Sequence, residues 1–307
     1  MSFDLTGQRV LVTGAAGQLG RYLVAQLPAT GATLITSGSR PTPGIDHAAD
    51  LADADAAARL VEVARPAVII HAAACTDVDG IEREPERGQR GNIDATRNIA
   101  QAAAAHGAYL LSVSTDMVFP GDGGAPYAED APTRPISAYG ASKLAAEEAV
   151  QAASPAFGIG RTAWLYGGAG KHFPRTVLTV LRDRGGMEVV DDEIGSPTFA
   201  GDLAAALIAA AAARASGVLH LTNGGGASRF GLAQETARLA GLPESLVQPT
   251  STAAFLAKYP LPAARPADSR IVNTRAAALG VTLRDWQPAL ADYVPLLAAE
   301  LGLVRPE

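Results

Sequence analysis

The chain carries a single cysteine, Cys75, so no disulfide can form within it, and so sparse a use of thiols suits the reducing cytoplasm. We read Cys75 as a small residue packed beside a ligand, ahead of a nucleophile. Lysine is almost as scarce, occurring only at 143, 171 and 258, and the net charge is −6. That balance leaves no basic face for nucleic acid or an anionic membrane, so any anionic ligand must be met by local arginines. No apolar run approaches the ~20 residues that cross a bilayer, and the Ala-rich stretch 203–215 reads as a buried helix. The amino-terminal MSFDLTGQRVLVTG has neither the basic segment nor the apolar core of a signal peptide. The five histidines are scattered, and none joins cysteines or carboxylates at metal-ligand spacing. No metal is expected.

What is present is a composition of 48% hydrophobic and 18% charged residues over 307 positions, enough for two modest cores. QRVLVT at 8–13 reads as a buried parallel strand running into Gly14-Ala-Ala-Gly17-Gln18-Leu19-Gly20 and then the helical YLVAQL. Strand, glycine turn and helix is the context that brings a pyrophosphate to free N–H groups at a helix start. The spacing is G-x-x-G-x-x-G, which points to the short-chain reductase branch. A second strand at 32–37 ends in Ser37-Gly-Ser39-Arg40, where an acid that grips the adenosine ribose would stand. Ser39 and Arg40 suit a 2′-phosphate there, favouring NADPH with NADH as the alternative. Asp50 and Leu51 follow on a loop, then a helix near 53–64 and a strand at 67–71. That strand ends in His71-Ala72-Ala73-Ala74-Cys75-Thr76, small residues against which a flat cofactor can lie; Asn92 is counted with the cofactor residues. Arg83, Arg87 and Arg90 read as a solvated face, and His71 as a polar strand-end residue.

The stretch 112–143 carries the chemistry. A strand from Tyr109 to Val113 stops at Ser114-Thr115-Asp116, and Tyr139-Gly-Ala-Ser-Lys143 opens a helix with its phenol and ammonium on one face. A hydroxyl, a phenol and an ammonium are what proton transfer to a carbonyl under reduction requires. Thr115 would hold the carbonyl oxygen, Tyr139 would exchange the proton, and Lys143 is expected to lower the phenol from its ordinary value of about 10. Further strands are expected at 157–162 and 217–222, helices near 173–184 and after Pro197-Thr198, and a Pro-rich YPLPAARPADSR late in the chain. The fold class is α/β: a Rossmann-type doubly wound parallel sheet over 1–162 with the strand near 217–222, interleaved with a smaller carboxyl-terminal substrate-binding lobe over 163–307.

GAAGQLG, AAACTDVDGIEREPE, STDMVFPG, YGASKLAAEE, RTAWLYG, DDEIGSPTFAGDLA and YPLPAARPADSR together resemble the extended short-chain dehydrogenase/reductases. Within them the chain resembles the dTDP-4-dehydrorhamnose reductase family along nearly its whole length. The resemblance implies NADPH-dependent reduction of the 4-keto group of dTDP-6-deoxy-L-lyxo-4-hexulose. It also implies catalytic roles for Thr115, Tyr139 and Lys143, with Asp116 and Trp164 touching the sugar. Thr76, Met117, Lys171 and Arg265 are assigned to the same substrate, the last two as cations for its diphosphate. Met117 stands where the family usually has tyrosine, His71 where it often has asparagine, and Tyr22 where some members have a glutamate linked to magnesium at a dimer contact. A homodimer is admissible. The alternatives are a reductase or epimerase of another nucleotide 4-keto-6-deoxy sugar, and a non-catalytic NADP-binding regulatory subunit.

Overall fold

The computed structural model describes residues 4–303. Its centre is β1 (Arg9–Thr13), flanked by β2 (Thr33–Gly38) and β4 (Val68–His71), with β3 (His47–Ala48) outside β2. Beyond β4 lie β5 (Tyr109–Thr115), β6 (Gly158–Thr162) and the strand Gly217–His220, all parallel. Alternating side chains divide between the two faces. Val10, Val12, Val68, Ile70, Tyr109 and Leu111 pack with Leu23, Leu203 and Leu207 on one side, whereas Leu11, Ile69 and Leu110 pack with Leu60, Ile99 and Val150 on the other. The central strands β1, β4 and β5 are thus apolar on both faces, as a sheet between two helical layers must be.

The sheet order reverses beside β1, where the chain runs outward to β2 on one side and to β4 on the other. The crevice above such a reversal, at the carboxyl ends of the strands, is where ligands bind in open α/β sheets. Over it sits a region with its own apolar clusters. One gathers Tyr166, Leu178, Trp286, Leu290 and Val294, and the other Val177, Leu181, Val189 and Val247 around the parallel pair Met187–Val190 and Val247–Thr250. The Ala-rich helix is found at Ala200–Ala212 and returns to the sheet's core, so the two regions share one chain path several times. The Pro-rich run acts as a strap: Arg265 forks onto Asp79 at 2.8 and 2.7 Å, and the Ser269 hydroxyl donates to Asp116 Oδ2 at 2.5 Å.

Candidate active site

Ser137 caps the helix Ala138–Ala153 by accepting from the Gly140 N–H at 3.1 Å. Tyr139 and Lys143, one turn apart, therefore face inward and are 9% and 3% exposed. β5 extends two residues further than expected and delivers Thr115 and the buried Asp116 beside them. Tyr139, Lys143, Thr115 and Asp116 line a cleft of ≈ 420 Å³. Gln18, Leu19, Ala72, Ala74, Thr76, Met117, Trp164, Lys171 and Arg265 line it too, so every residue assigned to the substrate reaches the same cavity.

The charge relations differ from the expected ones. Burial, and then the Asp116 carboxylate, push the Tyr139 phenol well above its ordinary value, with the Thr115 side chain acting in the opposite direction. Lys143 is not among the groups that set it, and its ammonium donates to the Val113 carbonyl at 2.8 Å. Burial brings Lys143 itself down to about 8, opposed by Glu147 one turn along the helix. Asp116 is raised by burial and accepts from Ser269 and Thr115, the latter at 3.1 Å. At neutral pH the phenol holds its proton. His71, between Thr13 at 2.7 Å and Thr96 at 3.1 Å, is pushed by burial to about 3 and stays a neutral structural group.

A second groove of ≈ 500 Å³ is lined by Gly14, Ser39, Asp50, Leu51, Ala73, Cys75, Arg87 and Arg90 among others, and shares Gly17, Ala72 and Ala74 with the first. The two form one furrow along the strand ends. Gly14 has φ +69°, and a Cβ there would lie 2.7 Å from the Ala73 nitrogen. Only glycine fits that turn. The helix Gln18–Gln26 starts at Gly17 with no side-chain cap, leaving its first N–H groups free for an anion. Residues and shape thus fit a dinucleotide. Gln18 Nε2 also donates to the Gly167 carbonyl at 2.9 Å.

Three cofactor assignments are not brought to the furrow. Gly20 is buried behind the turn, where a Cβ would lie 2.1 Å from the Gly14 carbonyl oxygen. Arg40 is exposed and absent from its walls, whereas Arg87 and Arg90, expected as a solvated face, line it. Arg87 pairs with Asp77 at 2.9 Å, and Arg90 pairs with Asp50. Asn92 is fully buried one layer behind, accepting from the Cys75 N–H at 2.8 Å and donating to Ser142 Oγ at 2.9 Å. The Ser142 hydroxyl donates in turn to the Tyr139 carbonyl at 2.7 Å, so Asn92 ties the furrow floor to the Tyr139 helix.

Sequence reasoning missed Glu193, Arg229 and Ser269, which line the cleft. Glu193 and Ser269 lie inside quoted motifs, DDEIGSPT and ADSR, yet no spacing singled them out; Arg229 carried no signal at all. Trp164 has φ 43°, an uncommon conformation for a bulky residue, and its indole is packed where a Cβ on Gly195 would come within 2.2 Å of Cε2. That contact explains the glycine of the GSPT motif. Tyr22 packs edge-on against Phe199, with ring centroids 5.3 Å apart. Among the described residues, no group of three or more His, Cys, Asp or Glu could hold a metal ion, and no helix is long and apolar enough to cross a membrane.

Residues 8–298 match the family described as RmlD substrate binding domain. The chain belongs to that family. As an RmlD-family protein it is an NAD(P)H-dependent oxidoreductase of the extended short-chain type. It is 43% identical over 305 residues to the dTDP-4-dehydrorhamnose reductase of Streptomyces griseus, covering 97% of each chain. A Streptomyces antibioticus protein described as a probable dTDP-4,6-dihydroxy-2-methyloxan-3-one 4-ketoreductase is 40% identical, with 95% of this chain and 97% of that one covered. Among solved structures, dTDP-4-dehydrorhamnose reductase from Bacillus anthracis in complex with NADP superposes with a TM-score of 0.86 at 33% identity, covering 93% of this chain and 98% of that one.

Proposed function

We propose that the protein uses NADPH to reduce the 4-keto group of dTDP-6-deoxy-L-lyxo-4-hexulose (dTDP-4-dehydro-L-rhamnose) to dTDP-L-rhamnose. The observation that carries this reading is the convergence of Thr115, Tyr139 and Lys143 on one cleft continuous with a dinucleotide furrow. Gly14, Gly17, Gln18, Leu19, Ser39, Asp50, Leu51 and Ala72 to Ala74 hold the cofactor, which supplies the hydride when bound. Thr115 Oγ1 holds the substrate's carbonyl oxygen against the Tyr139 phenol, whose raised pKa keeps it protonated until that oxygen gains charge. Lys143 hydrogen-bonds the cofactor's ribose and, on leaving the Val113 carbonyl it holds here, stabilises the phenolate left behind. Asp116, Thr76 and the Trp164 indole bound the sugar. Residues 1–162 with the strand near 217–222 serve the cofactor, and 163–307 serve the nucleotide sugar. The single, half-buried cysteine accords with a cytoplasmic enzyme; its assembly, monomer or homodimer, is read by sedimentation.

A second reading, another nucleotide 4-keto-6-deoxy sugar, is favoured by Met117 and by the Streptomyces antibioticus relative described as a 4-ketoreductase. Met117 is a half-buried cleft residue that keeps apolar reach but lacks the family's phenolic hydroxyl. One neutral hydrogen bond is worth about 0.5 to 1.5 kcal/mol, so weaker but real reduction of the dTDP sugar is expected, with several-fold rescue of kcat/KM by Met117→Tyr. The assay compares both proteins on dTDP- and UDP-linked 4-keto-6-deoxy sugars. A strong wild-type preference for the UDP sugar rejects the rhamnose assignment, and tight NADPH binding without turnover on either favours a regulatory subunit.

Preference for NADPH over NADH rests on Ser39 and Arg40. If Arg40 swings onto the 2′-phosphate, Arg40→Ala raises the KM for NADPH about tenfold or more, the size of a charge-assisted contact, and leaves that for NADH unchanged. Arg90→Ala is the control, since Arg90 already lines the groove. An NADPH-specific loss in Arg90→Ala alone reassigns the phosphate to it.

A further inference from the structure

Arg229 is the first residue of the helix Arg229–Leu239 and lines the cleft beside Trp164. Its guanidinium carbon stands 3.5 Å from the Trp164 ring centroid and 5.1 Å from that of Phe173. Stacking of this kind covers the guanidinium face and leaves the N–H edge open. Glu193 Oε2 approaches Nε at 3.7 Å, near enough for an ion pair but beyond hydrogen-bond distance. Glu193 and, further off, Asp116 are the anions that face it, and at 3.7 Å Glu193 is a long partner that leaves the guanidinium fork open to a closer one. Burial lowers the group only to about 10, so it is charged at neutral pH.

The other cleft arginine is differently placed. Arg265 spends its fork on both Asp79 oxygens and on the Ala263 carbonyl at 2.5 Å, which closes the strap and leaves few donors for a ligand. Lys171 is exposed at the cleft wall. A planar fork with unspent donors matches a phosphate oxygen pair better than a lone hydroxyl, and the first turn of an 11-residue helix adds positive potential on the same side.

We propose that Arg229, not Arg265, receives the diphosphate of the nucleotide sugar, with Lys171 as the second cation and Arg265 as a purely structural tie. This rests on the nucleotide-sugar reading above. The test is calorimetric binding of dTDP and of thymidine to the NADP-loaded wild type, Arg229→Gln, Arg229→Lys and Arg265→Gln. Arg229→Gln should weaken dTDP about tenfold or more and thymidine less than about twofold. Arg229→Lys, which keeps the charge without the fork, should recover part of the loss. In turnover, KM for the nucleotide sugar rises while kcat stays within about threefold, the mark of lost uniform binding. Equal losses of dTDP and thymidine would mean that Arg229 only props Trp164, and that overturns the proposal, as does dTDP affinity in Arg229→Gln within twofold of wild type. A loss confined to Arg265→Gln returns the diphosphate to Arg265. Wild type that binds neither dTDP nor its 4-ketosugar refutes the nucleotide-sugar reading, and this inference with it.

Discussion

Tyr139→Phe is expected to lower kcat by about 10²- to 10⁴-fold, the usual cost of removing a general acid, while NADPH affinity changes little. The ring is buried and its packing survives the substitution. What is lost is the one transferable proton, which burial and the Asp116 carboxylate keep on the phenol at neutral pH. Asp116 cannot replace it. That carboxyl already accepts from Ser269 and Thr115, and its position at the end of β5 directs it to the strap. The measurement is loss of NADPH absorbance with the 4-ketosugar made in situ, alongside NADPH titration by fluorescence. Near-full activity in Tyr139→Phe would remove the phenol from the mechanism.

The parts legible in the sequence were those that backbone geometry dictates locally. The glycine turn after β1 was readable because only glycine fits beside Ala73, and the Tyr139–Lys143 pair because helical spacing fixes a face. The apolar runs at 8–13, 67–71 and 109–113 gave the strands, since a doubly covered sheet leaves few polar positions outside the strand ends. What stayed hidden depends on approach between segments far apart in the chain. Arg229 meets Trp164 across 64 intervening positions, and nothing near SRFGLA distinguishes a cleft cation from a helix-surface one. Arg87 and Arg90 read as solvated because their charge run is dense, and both are exposed, but the helical segments Pro85–Gly88 and Gln89–Asp94 also set them on the furrow wall. The direction of the Tyr139 shift was missed for a related reason. Sequence puts the ammonium one turn away, but not the burial and the Asp116 carboxylate that raise the phenol.

The largest effect on stability is expected at the ion pair beneath that turn. Glu147 and Arg161 are each 5% exposed in their side chains, and the guanidinium forks onto the carboxylate at 2.9 and 2.7 Å. Ser114 Oγ donates to the same carboxylate at 2.5 Å, and its residue is the cross-strand neighbour of Arg161. Removing either partner strands a buried charge and costs about 3 to 5 kcal/mol. Glu147→Ala and Arg161→Ala should each lower Tm by on the order of 5 to 8 °C. Replacing both, Glu147→Leu with Arg161→Met, should recover most of that loss, because an apolar pair of similar volume is often neutral or better. The milder Glu147→Gln separates electrostatics from packing. Burial holds Lys143 at about 8 and the Glu147 charge opposes the fall, so removing that charge lowers Lys143 further. A lysine is charged below its pKa, so activity that needs the ammonium is lost as pH rises through that value. The alkaline limb of kcat/KM for NADPH, which reports the free enzyme, should therefore move to lower pH in Glu147→Gln. Tyr139 is raised and His71 titrates near 3, so neither supplies a limb in that range. An unmoved limb, with Tm lowered, would reduce Glu147 to a structural anchor with no hold on the charge of Lys143.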